Sequence, residues 1–400
     1  MSPSEVEMYM SHKTPVVMLM ALALASMPVG SQSPTFTTIT GEVGPGALYE
    51  IALPTGVWNG DLVVYAHGIG GRVPSAPIAL PDYDPKFRAF RESVASQGFA
   101  LVYSSYSVNG YGMMKDGTQR THQLRGLFAS SVGQPSRTYL VGDSMGGLIA
   151  VKLVESFPDQ YNGALSLCGI LAGGVETVSY LVDAKLVFDY FFPGVAPDSL
   201  AESSPIDFSP GSPTYEGVRA ALVGGLSSPG LPTRQFATAA KLPAIGAAEM
   251  VQGGMAVIGM NVTQGPNLLD VTNGHMFYDN SRTWYTGSDD DVALNAGIAR
   301  YVSDPSAINY LEHYYRPSGA LRVPLLTLST ARDPISPKFH EARYKEAAVQ
   351  AGAESYLLQL EVDAFGHCGL PTFAYPDFRA VTGAFSTLVA WVSTGVKPQD

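Results

Sequence analysis

Cysteine is scarce in this 400-residue chain, with only Cys168 and Cys368, so disulfides cannot stand in for a hydrophobic core. Two thiols are also too few for a zinc site built on three or four cysteines. Charged residues are sparse at 15%, and the balance of −11 leaves no Lys/Arg-rich stripe to neutralise phosphates, which argues against a nucleic-acid partner. Long hydrophobic runs are missing as well. The apolar stretch from Pro15 to Met27 covers 13 residues, whereas a bilayer-spanning helix needs about 20. What is abundant is apolar surface, at 46% of residues, together with 42 glycines and 29 prolines. This is the composition of a globular chain with many ordered turns, and its length suits one α/β domain with an insertion, or two domains.

The segment "MSHKTPVVMLMALALASMPVGSQS", from Met10, has a lysine, a short apolar stretch and small residues at Val29 and Ser31. It reads as a signal peptide over residues 1–31, cleaved after about Ser31, which predicts a secreted or periplasmic protein with no stable membrane anchor. The acidic Glu5 and Glu7 upstream are unusual for such a segment and favour a start at Met10. In an exported protein an isolated cysteine pair reads as one disulfide, Cys168 with Cys368, the alternative being two buried thiols. Asn261-Val262-Thr263 matches a glycosylation sequon, which matters only in a eukaryotic secretory route.

Beyond the leader, "TFTTITGEVG" and "ALYEIALP" read as two strands joined by a turn. The runs "DLVVYAHG", "FALVYSSYS", "RTYLVGDS" and "GALSLCG" follow, separated by segments long enough for a helix each. Such alternation implies an α/β fold built on a mostly parallel sheet with helices on both faces. From about Gly173 the rhythm breaks into an apolar helix candidate and Pro/Ser/Gly-rich connections, then resumes with "LRVPLLTLSTARD". The predicted division is a core of residues 32–172 and 318–400 with a cap inserted at 173–317.

Within "YLVGDSMGGLIAVKLVESF" the pentapeptide Gly142 to Gly146 places Ser144 between a short apolar strand and an amphipathic helix. The pentapeptide alone is a weak signal. Its setting of strand, tight turn and helix is the specific part, because a serine there sits in a strained turn, and a Cβ at Gly142 or Gly146 would collide across it. The helix N-terminus then aims its free N–H groups at the point where an oxyanion would form. A serine nucleophile at neutral pH needs a base, and the base needs an orienting acid. Of seven histidines, His367 alone occupies a Gly-flanked loop just after the last predicted strand; His12, His122, His275, His313 and His340 lack that placement. Asp333 directly follows an apolar strand and is preferred as the orienting acid over Asp363, which lies only four residues before His367. "HGIGG" after an earlier strand supplies a second oxyanion donor, so the expected pair is the backbone N–H of Ile69 and of Met145. Gly68 and Gly70 allow close backbone approach, and His67 is expected to brace the loop. The rate should rise with pH, since His367 must be neutral to accept a proton.

In chain order, HGIGG, Ser144, Asp333 and His367 resemble the α/β-hydrolase superfamily, over residues 35–172 and 318–396. The resemblance implies an eight-stranded mostly parallel sheet, a cap after the sixth strand, ester or amide hydrolysis through an acyl-enzyme, and no metal or organic cofactor. Cys368 beside His367 is similar to the feruloyl esterase and tannase branch, where a disulfide joins that neighbour to the residue before the nucleophile. Here that residue is Asp143, so the pattern is not met. The expected function is a secreted serine hydrolase acting on a small-molecule or polymeric ester with an aliphatic or aromatic acyl group. A second reading resembles the proline-selective exopeptidases, with Asp183, Asp189, Glu202 or the acids at 288–291 meeting a substrate amine. A third is a binding protein that has kept the scaffold without chemistry.

Overall fold

A computed structural model describes residues 35–70, 85–202, 204–367 and 378–399, and the leader at 1–31 and Cys368 lie outside them. The described residues form one compact unit. The described residues begin with β1 (Phe36–Gly44), β2 (Ala47–Pro54) and β3 (Asp61–Ala66). Next come α1 (Pro85–Ser96), β4 (Ala100–Tyr106), α2 (Met113–Ser131), β5 (Arg137–Asp143), α3 (Met145–Ser156) and β6 (Gly163–Leu167). Among the described residues six helices follow without a strand: α4 (Gly174–Phe191), α5 (Pro213–Gly224), α6 (Pro232–Ala239), α7 (Ala247–Val271), α8 (Asp291–Gly297) and α9 (Pro305–Tyr315). The chain then returns to β7 (Leu325–Arg332), α10 (Phe339–Gln350), β8 (Leu357–Phe365) and α11 (Phe378–Thr394).

Among the described residues the sheet has eight strands in the order β1-β2-β4-β3-β5-β6-β7-β8. β2 runs antiparallel to both β1 and β4, and every pairing from β4 across to β8 is parallel. This is the sheet that the α/β-hydrolase resemblance implies, with the helical insertion after the sixth strand. Central strands are buried on both faces because successive side chains point to opposite layers. Leu62, Val64 and Ala66 of β3 face a core shared with α2 and α3, while Val63 and Tyr65 face the layer of Phe87, Phe90, Phe385 and Trp391 from α1 and α11.

The insertion packs as a helical layer around α4, whose Phe188 meets Phe236 of α6. Pro266 inside α7 removes the N–H that would bond the carbonyl of Val262, and the N–H of Ile206 takes that carbonyl at 3.0 Å instead. Asn261, the sequon residue, is only 5% exposed, and its Nδ2 donates to the carbonyls of Leu181 and Val257. Glycan attachment at Asn261 is therefore incompatible with this fold. Among the described residues no helix is long and apolar enough to cross a membrane.

Candidate active site

Ser144 sits between β5 and α3 at φ 54° and ψ −121°, a left-handed value that few side chains tolerate. The turn is enforced by its neighbours. A Cβ on Gly142 would lie 2.1 Å from the carbonyl oxygen of Gly146, and one on Gly146 would lie 2.0 Å from that of Ala66. The Ser144 N–H donates to the carbonyl of Leu167 at 2.8 Å, which ties the turn to β6.

Three distant segments converge here. Ser144 Oγ lies 2.8 Å from His367 Nε2, and His367 Nδ1 lies 2.8 Å from Asp333 Oδ2. A carboxylate only accepts, so Nδ1 carries the ring proton and Nε2 accepts from the serine hydroxyl. Asp333 is fully buried, and its second oxygen accepts the N–H groups of Ile335 and Ser336, each at 2.8 Å. One oxygen thus shapes the turn after β7 while the other meets the imidazole. Asp363 is not in this chain of bonds. It is 87% exposed and pairs with Arg332 at 2.5 Å, and Arg332 also reaches Glu249 of α7 at 3.3 Å.

The segment His67 to Gly70 presses on the serine turn. A Cβ on Gly68 would stand 2.9 Å from Ser144 Cβ and from the carbonyl oxygen of Asp143. Among the described residues the N–H groups of Ile69 and Met145 donate to no acceptor, the latter because it opens helix α3. His67 is buried, stacks on Tyr106 at 3.9 Å between ring centres, and donates from Nδ1 to the carbonyl of Gly68 at 2.7 Å. Burial pushes this imidazole down to about 4, so it is neutral near pH 7.

Two side chains here make contacts that carry no local sequence signal. Asp143 Oδ1 accepts the Gly68 N–H at 3.1 Å and the Tyr65 hydroxyl at 2.8 Å. Asn109, ahead of a 3-10 turn at Gly110–Gly112, accepts the Gly70 N–H at 3.2 Å.

Cys168, buried at the end of β6, takes a positive φ of 46° and donates its N–H to the carbonyl of Leu328 at 2.8 Å. The disulfide expectation rests on Cys368, which lies outside the described residues. His122 contacts Tyr161, His275 pairs with Asp304, and buried His340 accepts the N–H of Ala172. Among the described residues no cluster of three or more His, Cys, Asp or Glu side chains is arranged to hold a metal.

No family model and no curated sequence matches this chain. Solved structures similar to it include feruloyl esterase B from Aspergillus oryzae, with a TM-score of 0.46 and 16% identity over 90% of this chain and 81% of that one. Carboxyl esterase 2 from the mycorrhizal fungus Tuber melanosporum has a TM-score of 0.45 and 13% identity, over 90% of this chain and 87% of its own. The acylaminoacyl peptidase of Pyrococcus horikoshii has a TM-score of 0.43 and 11% identity, over 92% of this chain but 42% of its own.

Proposed function

We propose that this chain is a serine hydrolase that cleaves carboxylic esters through an acyl-enzyme on Ser144. The observation that carries the reading is the unbroken series Ser144 Oγ, His367 Nε2, His367 Nδ1, Asp333 Oδ2, with 2.8 Å at each hydrogen bond. Ser144 Oγ attacks the ester carbonyl carbon as its proton passes to Nε2, and the carbonyl electron pair moves onto oxygen. Ile69 and Met145 donate their N–H groups to that oxyanion. Collapse of the tetrahedral adduct expels the alcohol, which takes the proton from His367. Water then attacks the acyl-serine by the same relay, and the carboxylic acid leaves.

Esters are favoured over peptides with a free amine because five of the six acids that could meet such an amine, Asp183, Asp189, Asp289, Asp290 and Asp291, are engaged elsewhere. Asp183 accepts the hydroxyls of Tyr278 and Tyr285 at 2.5 and 2.6 Å, and Asp189 pairs with Lys185 at 2.6 Å. Asp290 caps α8, Asp291 accepts the Gly287 and Ser288 N–H groups, and Asp289 meets Gln235. The helical insertion then acts as a cap over the acyl group, which we assign as aliphatic or aromatic from the apolar character of its helices. A panel of p-nitrophenyl esters set beside aminoacyl and prolyl anilides tests this. Ester turnover should dominate and vanish in Ser144→Ala, while anilide turnover well above ester turnover would reverse the order.

A further inference from the structure

Three polar backbone groups flank the Ile69 N–H, and each is held by a side chain. Gly68 N–H donates to Asp143, Gly68 C=O accepts from His67, and Gly70 N–H donates to Asn109. None of these bonds belongs to a helix or a strand ladder. A trans peptide directs its C=O and N–H to opposite sides, so fixing the Gly68 carbonyl also fixes the direction of the Ile69 N–H. Ile69 N–H is the group in this series left without an acceptor among the described residues.

We propose that Asp143 and Asn109 are positioning residues that set this loop for oxyanion binding. The inference deepens the hydrolase reading and rests on it. Asp143 directly precedes Ser144, so one side chain ties the nucleophile's turn to the donor loop, and the Tyr65 hydroxyl on the same oxygen holds its rotamer. Asn109 is 2% exposed, and the turn it opens is pinned from the insertion. Gly112 N–H donates to Asn267 Oδ1 of α7 at 3.1 Å, and the Tyr315 hydroxyl of α9 donates to the Tyr111 carbonyl. The donor loop is thereby referenced both to the sheet, through Asp143, and to the helical layer, through Asn109. A displacement of about 1 Å at such a donor can lower turnover about 100-fold.

The test uses the full chain, p-nitrophenyl acetate as substrate and an alkyl trifluoromethyl ketone, whose adduct with the serine places an oxyanion between the same donors. In Asn109→Ala and Asp143→Ala, kcat should fall about 10- to 100-fold, less than or comparable to outright loss of a donor at about 10²–10³. The ketone Ki should rise in proportion to the loss in kcat/KM. Asp143→Asn keeps an acceptor oxygen and should recover most of the loss. Asn109→Ser, too short to reach Gly70, supplies the same reading if the alanine variant does not fold. Folded variants that keep kcat and Ki within about twofold of the wild type overturn the proposal. A role limited to stability is indicated, and the proposal likewise fails, if melting temperature falls while the ketone Ki stays put. A wild type whose ester turnover persists in Ser144→Ala instead removes the hydrolase reading itself, and this inference with it.

Discussion

At the scale of single residues, the backbone strain at Ser144 and the two flanking glycines are one device. The left-handed φ lifts the hydroxyl to the end of the sheet, and the absent side chains at 142 and 146 let β3, β5 and α3 approach closely enough to hold it there. Gly146→Ala is therefore expected to destabilise by about 3 kcal/mol or more and to abolish activity, measured by thermal melts and ester turnover. The acid is tested by contrast. Asp333→Asn should lower kcat about 10³- to 10⁴-fold through loss of the imidazole tautomer, whereas Asp363→Asn, whose partner is Arg332, should remain within about twofold of the wild type. These residues are legible in the sequence because each sits at a strand end beside glycine or proline, where short motifs stand out. Asp143 and Asn109 are not, because their bonds to Gly68 and Gly70 span 75 and 39 positions and leave no local pattern.

At the scale of elements, the sheet is readable and α7 is not. Apolar runs such as "DLVVYAHG" and "RTYLVGDS" mark β3 and β5 because both faces of these strands are buried. α7 spans 25 residues yet contains Gly253, Gly254, Gly259, Gly265 and Pro266, which by propensity argue against a helix. Packing overrides propensity at those positions. A Cβ on Gly254 would lie 2.8 Å from Leu222 Cδ1, and one on Gly265 would lie 2.6 Å from the carbonyl oxygen of Ser199. Helix preference alone makes Gly→Ala favourable by about 1 kcal/mol, so Gly265→Ala inverts the sign and should destabilise by about 1–3 kcal/mol. Gly383 of α11 has open space around it, and Gly383→Ala should stabilise by about 0.5–1 kcal/mol. Melting temperatures of the two variants decide whether close approach is what glycine provides in α7.

At the scale of the whole molecule, the sheet carries the reactive groups on loops at the carboxyl ends of β3, β5, β7 and β8, and the helical layer reaches the end of β7 through Glu249 of α7 and the turn after β4 through α7 and α9. The buried histidines make this assembly sensitive to acid. Burial pushes His67 down to about 4 and His340 down to about 3, against an ordinary 6.5. Below about pH 6.5 the unfolded chain binds protons that the folded chain excludes, so their contribution to stability is present above pH 6.5 and is lost as pH falls toward 4. His340→Gln should flatten the fall in melting temperature across that window, even if the variant is less stable throughout. An unchanged slope would remove His340 from the account. The central claim is that Ser144 is a nucleophile activated by His367 and Asp333. The most direct measurement is intact-mass and peptide mapping after exposure to a fluorophosphonate. One adduct per chain, on the peptide containing Ser144 and lost in both Ser144→Ala and His367→Ala, is the result predicted. No adduct on correctly folded wild-type protein, or an adduct that persists in Ser144→Ala, would contradict it.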